Sequence, residues 1–239
     1  MTSSHRAAHA GVVLAAGSSS RVGGRRGKAY LPLAGRAVVT WSLETLRRTP
    51  GVERLLLVVR PADRDLAAEV LDRELPGASV QVVTGGATRH ASEYQALRHL
   101  AGAIRAGAVD LVLVHDAARP LASVALARRV LAAAGRAGGA VPGVPLDGVV
   151  PVDPAGRLAG PLAGRLVTVQ TPQAFRAAAL LDAHEAAARA GFDGTDTASC
   201  VERHGGVRVA VVPGEPGNLK VTFPHDLLAA ERLLAGAAG

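Results

Sequence analysis

The stretch "GVVLAAGSSSRVGGRRGK", residues 11–28, decides how the rest of the chain is read. Its apolar half stops at Gly17. Three serines follow, then three glycines mixed with Arg21, Arg25, Arg26 and Lys28. A short, near-continuous apolar run of this kind reads as a strand covered on both faces. A glycine turn after a first strand normally cradles phosphate with backbone N–H groups. Two familiar loops are excluded: "GSSSRVGG" lacks the G-x-G-x-x-G of a dinucleotide site, and Gly27–Lys28 runs into Ala29 where a P-loop needs Ser or Thr. What remains is a loop with small residues first and cations later. That is the requirement of phosphoryl or nucleotidyl transfer, where charge on a triphosphate must be neutralised; a solvated basic turn would look the same in isolation.

Further apolar runs recur at 54–59, 80–83, 110–115, 138–144 and 207–212. Ala/Leu/Arg stretches with helical spacing lie between them, at about 37–48, 62–74, 91–105, 123–136, 176–190 and 224–235. Alternation of this kind predicts an α/β fold with a doubly wound, mostly parallel, Rossmann-like sheet. The run "LVLVHDAARP" ends in charge where its strand ends, so it and "AAGSSSR" are expected to face one crevice beyond the carboxyl ends of the strands. Residues 145–173 break the rhythm with prolines, glycines and a hairpin signal at "DPAG", 153–156. They predict a β-arm at about 145–170, projecting from a single domain that spans 10–236. Residues 1–9 are expected to form a disordered tail.

The chain has 239 residues and carries 27 Lys+Arg against 20 Asp+Glu, a net charge of +7. Aromatic residues are only 3%, which leaves few stacking platforms for single-stranded nucleic acid. Neither a helix-turn-helix nor a zinc-finger spacing is present. No nucleic-acid partner is expected, and a small anionic substrate accounts better for local basic clusters. The one cysteine, Cys200, argues against a disulfide framework and against a Cys-based metal site. No apolar run approaches a membrane span, and a cytoplasmic setting is expected.

Six motifs in order extend the argument. "LAAGSSSR…GK" resembles the signature of sugar-phosphate-type nucleotidyltransferases. "GGATRHASEYQAL" (85–97), "VLVHDAARP" (112–120), "VQTPQAF" (169–175), "GTDTAS" (194–199) and "GNLKVT" (217–222) follow. Together they resemble the methylerythritol phosphate cytidylyltransferases of the non-mevalonate isoprenoid pathway, over about residues 11–234. The resemblance implies that an acceptor phosphate attacks the α-phosphorus of CTP, that pyrophosphate leaves, and that magnesium neutralises the triphosphate. It implies backbone contacts to the nucleotide from Ala15, Ala16, Gly17 and Ser18, and places Gly86 and Ser92 near cytosine and ribose. It matches Arg21, Lys28 and Lys220 to the catalytic cations. It matches Asp116 to an acidic residue near ribose, acceptor and metal; a helix N-cap is the other reading of Asp116. Asp196 reads equally well as the N-cap of a helix over 197–204. Arg119 and His115 are expected to be structural, because an already ionised phosphate nucleophile needs no strong base. A homodimer through the β-arm is also implied.

Four positions depart from the family pattern. Gly27 stands where a proline usually precedes the lysine, and Ala87 stands where an aspartate usually follows G-G. In the arm, Asp147–Gly148 replaces a D-[TS] pair whose hydroxyl touches the acceptor. Counting eight residues back from Thr171, where the family has a phosphate-binding arginine, gives Ala163; Arg157 and Arg165 lie out of register. The nucleotide half of the pattern is therefore nearly intact and the acceptor half altered. Weak use of methylerythritol phosphate is expected from this, with two alternatives: another polyol phosphate such as ribitol phosphate as acceptor, or a non-catalytic nucleotide-binding paralogue.

Overall fold

A computed structural model describes residues 8–17, 27–160, 164–194 and 196–236. The elements in chain order are β1 (His9–Leu14), β2 (Pro32–Leu33), β3 (Arg36–Ala37), α1 (Val38–Arg47), β4 (Val52–Val59), α2 (Arg64–Glu74), β5 (Val80–Thr84), α3 (Arg89–Arg105), β6 (Leu111–Asp116), α4 (Val124–Ala137), β7 (Gly139–Pro145), β8 (Val167–Val169), β9 (Gln173–Arg176), α5 (Ala177–Arg189), α6 (Thr197–Gly205), β10 (Val209–Pro213) and α7 (Pro224–Gly236).

Eight strands form one sheet in the order β10-β7-β9-β6-β1-β4-β5, with β8 attached to β7. β1 pairs in parallel with both β4 and β6, and β4 with β5. β9 lies antiparallel between β6 and β7. The side chains of β4 show why its sequence run is continuous rather than alternating. Leu55, Leu57 and Val59 enter a core built with α1, α2 and α4, whereas Leu56 and Val58 enter a second core built with α3, α5 and α6. With both faces covered, Leu55 to Val59 are all inside. The doubly wound, mostly parallel expectation therefore holds.

Three differences from the sequence reading have local causes. β1 begins at His9, which pairs with Val52 and Leu111, so the expected tail is one residue too long; residues 1–7 lie outside the described residues. β9 does not stand out in the sequence because only Ala174 and Phe175 in its four residues are apolar. β2 and β3, two residues each, are too short to carry a period.

The arm has the expected turn. The N–H of Gly156 donates to Asp153 O at 2.9 Å, and Asp153 Oδ1 accepts from the N–H groups of Ala155 and Arg157. β7 and β8 pair antiparallel as its stem. Val150, Val152 and Leu158 on the arm are exposed.

Candidate active site

The crevice predicted at the carboxyl ends of the strands exists as a cavity of about 560 Å³. Leu14, Ala15, Ala16 and Gly17 line it after β1, Arg60 after β4, Gly86 to Arg89 and Ser92 after β5, Asp116 to Ala118 after β6, with Lys28 and Lys220 from separate loops. Of the predicted site residues, Ala15, Ala16, Gly17, Lys28, Gly86, Ser92, Asp116 and Lys220 thus come together around one space. Ser18 and Arg21 lie outside the described residues.

Each segment reaches the cavity for a physical reason. Gly85 and Gly86 are glycines because of close approach. A Cβ on Gly85 would stand 2.7 Å from both Ala16 Cβ and Ser92 Oγ, and one on Gly86 would stand 2.6 Å from Ala91 Cβ. Ser92 is used within this loop. Its hydroxyl accepts from Gly86 N–H at 3.1 Å and donates to Thr88 O at 2.8 Å. It therefore fixes the wall of the cavity, whatever contact it also makes with a ligand. Thr88 caps α3 by accepting from Ala91 N–H.

Asp116 ends β6. It is not a helix N-cap; that role belongs to Ser123, whose Oγ accepts from Leu126 N–H at 2.9 Å. Asp116 faces two cations instead. Lys220 Nζ lies 2.7 Å from Oδ2, and Arg89 Nε lies 3.2 Å from Oδ1. Burial pushes the carboxyl up, but the charges of Arg89 and Lys220 outweigh it and hold Asp116 well below the ordinary carboxylate range.

Behind Asp116 runs a chain of hydrogen bonds. The Asp116 N–H donates to Thr171 Oγ1 at 3.0 Å, Thr171 Oγ1 sits 2.9 Å from His115 Nδ1, and His115 Nε2 sits 3.1 Å from Arg119 O. With the Nε2–H tautomer every link is satisfied: Thr171 donates to Nδ1, and Nε2–H donates to Arg119 O. His115 is fully buried, and desolvation pushes it down to about 4. It is a neutral brace, as expected from the sequence. Arg119 ties the same loop to the "NLK" segment through Asn218 O at 2.8 Å. Asn218 in turn donates to Thr171 O at 2.9 Å, and Val221 N–H donates to Ala118 O. The motifs "HDAARP", "TPQ" and "NLKVT", distant in sequence, are thus one interlocked structure that presents Lys220 to Asp116.

Two charged residues that line the cavity were not singled out by the sequence reading. Arg89 bridges Asp116 and the buried Glu93, donating from Nη1 to Glu93 Oε2 and to Thr197 Oγ1, both at 3.1 Å. Thr197 Oγ1 also donates to Glu93 Oε2 at 2.9 Å. Arg89 was visible only as the R of G-G-x-x-R-x-x-S; its partners lie up to 108 residues away. Arg60 is the other. Asp196 takes its capping role, accepting from Ser199 N–H at 3.3 Å and also from Gln173 Nε2 at 3.0 Å. Cys200 sits with His90 and His184 on the far side of Glu93, their ligand atoms within 4.8 Å of one another. The imidazoles stack face to face at 4.6 Å, and burial pushes the thiol up to about 11. We read this cluster as packing.

Around the cavity the described lining residues carry four cations, Lys28, Arg60, Arg89 and Lys220, against one carboxylate, Asp116. Such a surface suits a polyphosphate. Magnesium is bound through one or two carboxylates plus substrate phosphates and waters. Asp116, ionised and with a lone pair left on each oxygen beyond its two contacts, fits as that carboxylate.

Comparison with known proteins agrees with this geometry. The sequence model of the 2-C-methyl-D-erythritol 4-phosphate cytidylyltransferase family matches residues 10–236. The chain belongs to that family. A relative from Cereibacter sphaeroides (strain ATCC 17029 / ATH 2.4.9), named 2-C-methyl-D-erythritol 4-phosphate cytidylyltransferase, is 44% identical over 234 residues, covering 96% of this chain and 98% of the relative. One of the same name from Geobacillus kaustophilus is 37% identical over 226 residues, covering 94% and 96%. Among solved structures, the 2-C-methyl-D-erythritol 4-phosphate cytidylyltransferase of Thermus thermophilus superposes with a TM-score of 0.69 at 35% identity, covering 94% of this chain and 98% of that one. The 4-diphosphocytidyl-2C-methyl-D-erythritol synthase of Anaerococcus prevotii superposes with a TM-score of 0.82 at 26% identity, covering 96% and 97%. As a family member the chain is a nucleotidyltransferase. No helix among the described residues is long and apolar enough to cross a membrane.

Proposed function

We propose that the protein transfers CMP from CTP to the phosphate of 2-C-methyl-D-erythritol 4-phosphate and releases pyrophosphate. The observation that carries the reading is the group of cations closing on one ionised carboxylate at the strand ends, in a chain whose residues 10–236 match the family. An acceptor phosphate oxygen attacks the α-phosphorus. The bond from that phosphorus to the bridging oxygen of the β-phosphate breaks, and its electron pair leaves with pyrophosphate. The nucleophile is already anionic, so no proton has to be removed, consistent with His115 being neutral and hydrogen-bonded at both nitrogens.

In this reading Ala15, Ala16, Gly17 and Gly86 form the floor for the nucleotide. Lys28 and Lys220, with Arg21 and Ser18 from the loop outside the described residues, hold the phosphates. Lys220 also fixes Asp116, which would hold a magnesium ion; that ion supplies charge neutralisation of the triphosphate when bound. Positive charge aimed at the α-phosphate and at the departing pyrophosphate stabilises the charge that develops there. Arg89, oriented by Glu93 and Thr197, keeps the Asp116 carboxylate in place.

The acceptor side is proposed to differ from the usual pattern. Gly148 adopts φ +73°, so it supplies a left-handed turn where the family has a hydroxyl. Ala163 lies outside the described residues. Arg165, exposed beside the stem of the arm, is the cation proposed to reach an acceptor phosphate. The exposed Val150, Val152 and Leu158 are proposed to pack against a second copy of the chain, and the dimer is proposed to work in the cytoplasm. A thermal-shift comparison of CTP, UTP, ATP and GTP, each with magnesium, tests the nucleotide half. CTP at about 100 times its dissociation constant should stabilise the fold by roughly 2.7 kcal/mol. Equal shifts for all four, or none, would remove the cytidylyl assignment.

A further inference from the structure

Gly27 has φ −58° and ψ 141°, a conformation open to any residue, so backbone freedom does not explain a glycine there. Space does. A Cβ on Gly27 would stand 3.2 Å from Arg60 Nη2 and 3.3 Å from Asp63 Oδ2. The missing side chain makes room for an ion pair. Arg60 donates from Nε to Asp63 Oδ2 at 2.6 Å and from Nη2 to Oδ1 at 2.9 Å. Asp63 is buried, and its own N–H donates to Arg60 O at 3.0 Å. A two-point grip by a buried carboxylate fixes the plane of the guanidinium. The Arg60 side chain is nonetheless 32% exposed and lines the cavity beside Lys28. Of the five N–H donors of an arginine, the two bonds to Asp63 take two, and Arg60 makes no other side-chain hydrogen bond among the described residues.

A rigid, partly open guanidinium next to Lys28 is placed where the phosphates of the nucleotide are proposed to lie. Its head group lies against Gly27, the residue before Lys28, whereas the Gly86–Ser92 wall is proposed to face the nucleoside. We propose that Arg60, clamped by Asp63 and admitted by Gly27, is a further binding residue for the β,γ-pyrophosphate end of the nucleotide and contributes nothing to holding its CMP part. This rests on the CTP reading given above. It adds a fourth described cation to the site and gives the glycine before Lys28 a purpose.

The test is calorimetric titration of CTP, pyrophosphate and CMP, each with magnesium, into the full chain and into Arg60→Gln, Arg60→Lys and Gly27→Ala. A charge-assisted contact of this kind is worth about 10- to 150-fold in affinity. Arg60→Gln should weaken CTP and pyrophosphate by that factor and leave CMP within about twofold. Arg60→Lys, which keeps the charge but not the fork, should fall between. Gly27→Ala, which crowds the guanidinium without altering its charge, should weaken CTP in the same direction. Equal weakening of CTP and CMP in Arg60→Gln would make Arg60 a prop for the cavity wall and overturn the proposal. So would unchanged CTP binding in both Arg60 variants. If Arg60→Gln does not fold, Arg60→Lys and Gly27→Ala decide: loss for CTP without loss for CMP supports the proposal, and any other pattern overturns it. Failure of the unsubstituted chain to bind CTP would remove the nucleotide reading itself, a different result from any of these.

Discussion

Replacing Lys220 with alanine separates catalysis from folding at this site. Lys220 Nζ lies 2.7 Å from Asp116 Oδ2, but its side chain is 43% exposed. Only the lysine end of the pair is open to solvent, but the buried Asp116 keeps Arg89 as a partner, so the loss in stability is held to about 1 kcal/mol. For a chain of this length that corresponds to a fall in Tm of about 2–4 °C. Asp116 stays ionised in the variant because Arg89 Nε still faces Oδ1 at 3.2 Å. Catalysis loses more. A fixed cation facing charge that develops on phosphate is worth about 100- to 1000-fold in turnover. The expected result is therefore a fall of that size in kcat with a nearly native melting curve. Lys220→Arg should recover part of it, since the charge returns on a head group of different shape. Pyrophosphate release with saturating CTP and acceptor measures the rate, and differential scanning fluorimetry the fold. A kcat within about threefold of the unsubstituted protein would refute the reasoning. So would a Tm drop well beyond 4 °C, which would make Lys220 a structural residue.

Other expectations follow from the same contacts. Thr171→Val strips partners from the Asp116 N–H and from His115 Nδ1; it should cost about 1–3 kcal/mol in urea unfolding and lower kcat, whereas an unchanged midpoint would break the proposed chain of bonds. His115 is held neutral at about 4 against 6.5 in the unfolded chain. Below pH 6.5 the unfolded state therefore takes up a proton that the folded state refuses, and stability falls as pH drops from 6.5 towards 4. Between pH 7.5 and 5.5 His115 should account for roughly 1.3 kcal/mol of that fall, measurable as a smaller pH dependence of the urea midpoint in His115→Gln. Arg165→Ala should raise the acceptor KM about 10- to 150-fold without moving that for CTP; unchanged acceptor KM would take Arg165 out of the site. Gly148→Thr should not improve acceptor use, because a β-branched residue at φ +73° is strained.

The parts of this account that could be read from sequence are those set by local pattern. β1, β4, β6 and β7 appear as apolar runs because both faces of the sheet are covered there, and the edge strands β5 and β10 because most of their valines still pack partly against the core. Their positions fix where the loops carrying Gly17, Gly86 and Asp116 must end. Asp153 and Gly156 announce their turn through backbone chemistry that needs no partner elsewhere. The rest depends on what folding brings together. Whether Asp116 caps a helix or faces cations cannot be told from "HDAARP"; it is decided by Lys220, 104 residues away. Arg89 and Glu93 look like an ordinary i,i+4 surface pair on a helix, and only the approach of Thr197 and Asp116 makes them part of a site. Gly27 reads as a looser version of a proline loop until Arg60 and Asp63 are seen filling the space beside it. β9 enters the sheet antiparallel between strands that lie earlier in the chain, an arrangement that four residues with polar ends cannot signal.

The most direct test of the central claim is product formation from CTP and 2-C-methyl-D-erythritol 4-phosphate with magnesium, followed by 31P NMR. The account predicts two coupled phosphorus resonances of a new diphosphate linkage, appearing together with pyrophosphate, and neither product when the acceptor is omitted. Pyrophosphate appearing only with another polyol phosphate, such as ribitol phosphate, would contradict the assigned acceptor. Tight CTP binding with no turnover on any acceptor would contradict the claim that this site is catalytic.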